Sequence, residues 1–157
     1  MRQVPVALAV FVLAGHLCVR SARAQTADEA AVRRVIEAIA AFSEAKDMAG
    51  LDTLYAGDAW VQIIEGSGVN RGWVDYRDHH LQPELAEFRN FRYRCFEIEP
   101  QVRGAVAWAP FRYELAVDTQ DGHVEVEGRG TAILERRGGR WLVVHLHTSG
   151  RRRTPGG

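Results

Sequence analysis

The chain has 157 residues with 20 basic and 20 acidic side chains, so it carries no formal net charge at neutral pH. That length excludes a chain of several large domains, and the balanced charge excludes a polyanion binder held by bulk electrostatics. Two cysteines exclude a fold stapled by a disulfide framework.

The first stretch, MRQVPVALAVFVLAGHLCVRSARAQ, reads as an export signal. Arg2 is a short positive start, Val4 to Leu17 is an apolar core, and Ala22-Arg23-Ala24 offers small residues to a signal peptidase. The apolar core falls short of the roughly 20 residues a membrane span needs. Cys18 follows His16 and Leu17, which does not suit lipid attachment. Residues 1–24 are therefore expected to be removed and the protein to be periplasmic or secreted, with no membrane attachment afterwards. The segment contains three arginines and no acid, so 17 basic and 20 acidic residues remain in the mature chain. This mild acidity argues against a nucleic-acid partner. Cys95 is then alone, unable to form an intrachain disulfide, and its setting in FRYRCFEI reads as a buried, inert thiol.

From Gln25 the elements follow in order. Thr26 and Glu29 form a capping box, and Val32, Val35, Ile36, Ile39 and Phe42 recur at helical spacing. Asp47 is placed to cap a second, short helix carrying Met48, Leu51 and Leu54. AWVQIIEG has strand character and runs into the turn Gly66-Ser67-Gly68. RGWVDYRDHHLQ predicts a third helix, stopped by Pro83. Strands are expected over residues 88–99, 105–118, 123–137 and 141–149, separated by Pro100, Thr119-Gln120-Asp121-Gly122 and Gly138-Gly139. Residues 151–157, opening Arg151-Arg152-Arg153, read as a basic, solvated tail. Helices first and then long antiparallel strands predict one α+β domain over residues 25–150.

Gly72-Trp73, AVAWAPFRYEL, GTAILERRGGRW and VHLHTSG, in this order, resemble the nuclear transport factor 2-like superfamily. The likeness is to its SnoaL-like branch and to the association (hub) domain of calcium/calmodulin-dependent protein kinase II. The resemblance implies a cone-shaped roll, with helices packed on a strongly curved antiparallel sheet around a pocket. It also implies a homodimer or higher homo-oligomer paired through the sheet's outer face. Members of the superfamily include isomerases, cyclases, dehydratases, hubs and passive binders, so fold alone does not select a function.

Chemistry can sit in three places. On the third helix, Tyr76 lies three residues before His79 and four before His80, so one turn can aim a phenol and an imidazole at one point. The resemblance places Tyr76 and His79 at a ligand cavity. On the central strand, Arg112 and Glu114 share a face. Arg112 matches a carboxylate-binding arginine of the hub domain, whereas its two companion positions are Ala132 and Thr148 here. On the last strand, His145 and His147 share a face, which alternation extends to Trp141 and Val143. This pair either lines the pocket or lies at a subunit contact, and the resemblance favours the outward address.

His79, His80, His145 and His147 also offer donors for zinc or copper, although no known metal-site spacing is present and no cofactor is required by the reading. The ligand-site expectation is thus Tyr76, His79, His80, Arg112, Glu114, His145 and His147, taking a small organic molecule. Proton-transfer isomerase, cyclase or dehydratase chemistry on a hydrophobic substrate is the alternative, for which Asp58, Glu65, Glu114 and Tyr76 are the available residue types. An assembly module with a vestigial pocket is the third reading.

Overall fold

The computed structural model describes the backbone of residues 7–153 and side chains from Ala24 to Arg153. The export reading of residues 1–24 therefore falls outside the described side chains. Helix α1 spans Ala7–Glu44 and runs without a break through Thr26 and Glu29. The capping box is thus internal to a longer helix, where the preceding turn supplies carbonyl partners. Its C-terminal end is closed locally: Lys46 has φ of 55°, its N–H donates to Ser43 O, and the Asp47 N–H donates to Phe42 O at 2.8 Å. Asp47 then caps α2 (Met48–Asp52), its carboxylate accepting from Gly50 N at 2.9 Å, as its place before an apolar turn predicts.

The third helix differs from expectation in an informative way. It comprises α3 (Trp73–Tyr76), a π turn over Arg77–Leu81 and α4 (Gln82–Glu87), so Pro83 lies in the first turn of a helix and does not end one. A proline lacks an N–H, and its ring crowds the carbonyl four residues earlier. The chain accommodates this by widening the turn just before it. The Gln82 N–H reaches back five residues to Arg77 O, so one extra residue is inserted into the helical register.

The strands are β1 (Gln62–Glu65), β2 (Gly68–Arg71), β3 (Arg89–Phe96), β4 (Gln101–Arg103), β5 (Val106–Thr119), β6 (Gly122–Arg137) and β7 (Arg140–Arg152). Their order is β2-β1-β7-β6-β5-β3, with β4 also paired to β5. The meander is antiparallel as predicted. The sheet as a whole is mixed, because β1 pairs parallel to β7, with Gln62 opposite His145 and Glu65 opposite Thr148. Strand β7 is longer than predicted and takes in Arg151 and Arg152 of the expected tail. Arg151 bonds Glu127 on β6, and Arg153 N donates to Glu125 O.

Alternation along β5 sends Ala107, Ala109, Phe111, Tyr113 and Val117 inward. At one end of the inner face, Ala107, Ala109 and Ala132 are fully buried, and their small side chains let Val32 and Ile36 of α1 approach closely. At the other end, Tyr113 and then Leu115 and Val117 diverge from α1, and space opens. Gly128 and Gly130 on β6 lie under the rings of Tyr113 and Phe111, where any Cβ would collide with them. Among the described residues, no helix is long and apolar enough to cross a membrane.

A bulge in β7 changes which side chains face inward. Ile133 pairs His145 while Leu134 pairs Val143, so Val144 is an extra residue opposite the β6 ladder. Trp141 and Val143 are therefore inward, and His145 and His147 outward with Leu146 and Thr148 inward between and after them. The expectation that the histidines share a face with Trp141 and Val143 fails for this reason. Val144 packs instead in a satellite cluster with Ala56, Val61 and Leu142.

Cys95 lies inward on β3 against the core, and burial pushes its thiol up to about 12. Native protein at pH 8 is expected to alkylate at Cys95 about a thousandfold more slowly than an ordinary cysteine, because the thiolate is the reactive form. Peptide mass spectrometry after timed iodoacetamide treatment, with a urea-unfolded control, checks this. Equal native and unfolded rates would show the thiol to be open.

Candidate functional site

The space beyond Tyr113 is a cavity of about 360 Å³. Its walls come from every layer of the fold. Ile39 and Ser43 belong to the last turns of α1, Leu81 and Leu85 to the third helical stretch, and Leu146 and Thr148 to β7. Tyr55, Tyr76, Tyr93 and Tyr113 bring four phenols to it, with Phe88 and Phe91 between them. These rings support one another. Tyr93 meets Tyr113 edge-on at 5.9 Å, and Phe91 lies 5.2 Å from Phe88 and 6.1 Å from Tyr93. Tyr55 stacks flat on Trp73 at 4.0 Å, and the Trp73 indole N–H donates to Asp52 Oδ1 at 2.7 Å. Arg77 also bonds Asp52, which ties the third helix to α2 beneath the cavity.

Burial pushes all four phenols above their ordinary range, so they are neutral donors at physiological pH. The lining therefore combines apolar side chains and rings with neutral hydroxyls.

Two carboxylates break that pattern. Glu65 ends β1, just before a tight turn in which Gly66 has φ of 59° and its N–H bonds Thr148 O. The parallel pairing with β7 brings Glu65 to the cavity. Tyr76 Oη donates to Glu65 Oε1 at 3.0 Å. Glu84, on α4, also lines the cavity, and burial followed by the Glu65 charge raises its pKa, against the opposing effect of His80. His80 stands between them. Its Nε2 is 3.2 Å from Glu65 Oε2 and 3.9 Å from Glu84 Oε2, its ring centroid is 5.1 Å from that of Tyr76, and its Nδ1 is 3.2 Å from Asn70 Oδ1. Arg152 is the basic member of the lining.

The seven residues predicted for the site separate cleanly. Tyr76 lines the cavity, and His80 joins it through Glu65. His79 does not: its side chain is 77% exposed and pairs with Asp75 at 3.2 Å. The π turn explains the exchange, since one inserted residue turns His79 to solvent and leaves His80 above Tyr76. Arg112 and Glu114 occupy the even-numbered, outer face of β5, opposite to Tyr113 and Leu115. There Arg112 pairs with Glu97 and lies over the Phe96 ring, and Glu114 pairs with Arg94. They form surface ion pairs and do not reach the cavity. His145 and His147 are on the same outer face, in register with Ile133 and Thr131, and do not line the cavity either. Burial and the neighbouring His147 lower the pKa of His145. The four histidines considered for a metal therefore do not converge.

Glu84, Tyr55, Tyr93 and Tyr113 were not among the predicted residues, and Glu65 entered only as one of several carboxylates available to the proton-transfer alternative. For Tyr93 a signal existed: in NFRYRCF the arginines mark one face of β3, which leaves Phe91, Tyr93 and Cys95 on the other. Tyr113 follows likewise from the inward alanines of β5. Nothing local marks Glu65 or Glu84.

A helix-backed, curved mixed sheet enclosing a cavity at its open end defines the nuclear transport factor 2-like class of folds. The chain belongs to the SnoaL-like domain family, whose model matches residues 32–151. Among solved structures, it is similar to a nuclear transport factor 2-like protein from Salmonella enterica serovar Typhimurium LT2, with 18% identity, a TM-score of 0.75, and coverage of 84% of this chain and 96% of that one. It is also similar to a proposed ketosteroid isomerase from Shewanella frigidimarina NCIMB 400, with 23% identity, a TM-score of 0.65, and coverage of 74% and 92%. A proposed calcium/calmodulin-dependent protein kinase II association domain from Xanthomonas campestris matches with 17% identity, a TM-score of 0.63, and coverage of 80% and 87%. No curated protein matches the chain.

Proposed function

We propose that the protein is exported and binds a small, largely apolar organic molecule in the cone cavity, with the molecule's polar end at Glu65 and Tyr76. The observation that carries this reading is the cavity itself, about 360 Å³ walled by aromatic rings, with a hydrogen-bonded carboxylate–phenol pair at one end. Apolar pockets of this size with a few convergent polar groups suit small organic ligands. Assembly as the sole role would leave such a cavity filled with side chains. Pairing of two copies through the outer face, where Trp108 and Ile133 are partly exposed beside His145, belongs to the same reading.

A second reading is proton transfer on the bound molecule, favoured by the Glu65–Tyr76 pair. A carboxylate base and a phenol donor meeting in an aromatic-walled cavity have the composition needed to move a proton while stabilising an oxyanion. The fold shared with a proposed ketosteroid isomerase is compatible with such chemistry and does not assign it.

Native mass spectrometry of untagged protein from an exporting host tests the first reading. The expected spectrum shows an organic mass that disappears on denaturation, and Val126→Trp, whose indole would occupy the cavity, is expected to lose it. Retention of the same molecule by Val126→Trp would place it elsewhere. Once the molecule is known, Tyr76→Phe is expected to weaken its binding about tenfold, the effect of a lost buried hydrogen bond. If the second reading holds, Glu65→Gln is expected to abolish turnover while retaining binding.

A further inference from the structure

The polar cluster at the cavity rim brings one imidazole and two carboxylates around one point. His80 Nδ1 faces the side-chain amide of Asn70, with Asn70 Oδ1 at 3.2 Å, so a proton on Nδ1 would be donated to that oxygen. In that tautomer Nε2 presents a lone pair. That lone pair faces Glu65 Oε2 at 3.2 Å and Glu84 Oε2 at 3.9 Å, so three electron-pair donors from two elements meet around one point. All three ligand atoms lie within 4.8 Å of one another. A proton on Nε2 would point along one axis and satisfy one carboxylate, leaving the other beyond hydrogen-bond range. A cation at the shared point would satisfy all three.

The spacing has a metal's dimensions. Ligands about 2.1 Å from one ion at a tetrahedral angle lie roughly 3.4 Å apart, and the two observed separations bracket that value. The supporting contact is also of the expected kind, since a metal-binding imidazole donates its other N–H to an oxygen that fixes its tautomer and ring orientation. Asn70 is on β2, Glu65 on β1, and His80 and Glu84 are one turn apart on the third helical stretch. The hairpin and the helix thus present a rigid, three-ligand half-site.

We propose that Glu65, His80 and Glu84 bind a divalent transition-metal ion, zinc(II) in the first instance, at the rim of the cavity. One imidazole with two carboxylates suits zinc, whereas magnesium prefers oxygen donors and retained water. Three protein ligands leave coordination open for water or for an oxygen atom of a molecule in the cavity. The site shares Glu65 with the cavity reading, but does not require that reading to hold.

The test uses the full chain, stripped with chelator and titrated with zinc chloride by isothermal calorimetry, with cobalt(II) absorption as a second readout. Tight binding of one zinc is expected, with cobalt(II) giving a visible band that zinc displaces. Loss of a supporting residue typically costs 10–100-fold in affinity, so loss of a ligand is expected to cost at least about 100-fold in His80→Ala and Glu84→Gln. Asn70→Ala is expected to lose about tenfold. The double variant His145→Ala/His147→Ala and His79→Ala are expected to keep the affinity, whereas Tyr76→Phe, which loses a hydrogen bond to Glu65, is expected to lose about tenfold like Asn70→Ala. Melting curves without metal confirm that each variant folds, and Glu84→Gln, on the surface of a helix, preserves a test if His80→Ala does not. Undiminished zinc affinity in folded His80→Ala or Glu84→Gln, loss only in the His145/His147 variant, or equal affinity for magnesium would overturn the proposal. An organic mass in the native spectrum without zinc binding would sink this site while leaving the cavity reading standing.

Discussion

Trp73→Ala is expected to lower the free energy of unfolding by about 3–5 kcal/mol, the range for truncating a large buried aromatic. Trp73 is almost fully buried, stacks on Tyr55 with planes 5° apart and bonds Asp52 through its indole N–H. Truncation would leave a cavity against Tyr55 and remove one of the two links between α2 and the third helix, leaving Arg77–Asp52. Trp73→Phe keeps most of the ring contact and loses the hydrogen bond, so about 1–2 kcal/mol is expected there. Urea unfolding of both variants measures the difference. A cost below about 1 kcal/mol for Trp73→Ala would mean that the aromatic stack does not hold the cavity floor. Because Trp73 also lies 6.0 Å from Tyr76, the alanine variant should loosen the phenol that bonds Glu65.

Gly130→Ala is expected to destabilise the fold by about 1–3 kcal/mol even though it adds one methyl group. A Cβ at Gly130 would lie 2.8 Å from Phe111 Cε1 and Cε2, and closer still to Cζ. The backbone of Gly130 has no positive φ, so the cost is overlap with the ring and not torsional strain. Phe111→Leu on the alanine background should recover part of the loss, because it removes the atoms in the way. A double-mutant cycle by thermal or urea unfolding separates the two contributions. Additive costs would mean that the glycine is needed for some other reason. The same logic applies two pairs along the strand, where the Tyr113 ring covers Gly128 and lines the cavity.

Much of the architecture was legible in local patterns. The apolar stripe of α1, the Asp47 cap, the glycine turns and the long alternating strands are short-range properties of the backbone. A few neighbouring residues set each of them, and they sufficed for the α+β class and for the family resemblance. Tyr76 was legible too, because it precedes the disturbance in its helix.

The rest of the site depends on events that a periodic reading cannot register. A single extra residue in the π turn before Pro83 exchanges His79 for His80, and a single bulged residue, Val144, reverses the face of everything after it in β7. Such insertions are selected by long-range fit between elements, and one residue is enough to invert a period of two or rotate a period of 3.6. Arg112 and Glu114 illustrate the same sensitivity on β5, where a one-residue difference in matching separates a cavity residue from a surface ion pair. Glu65 reaches the cavity only because β1 pairs parallel to a strand some 80 residues later, and Glu84 only because the third helical stretch packs beside Glu65 and His80. The sequence by itself determined the helices, the long strands, their order and the family, but not the short strands β2 and β4. The tertiary structure alone decided which polar side chains share the cavity, because their meeting depends on pairing between distant segments and on register shifts of one residue.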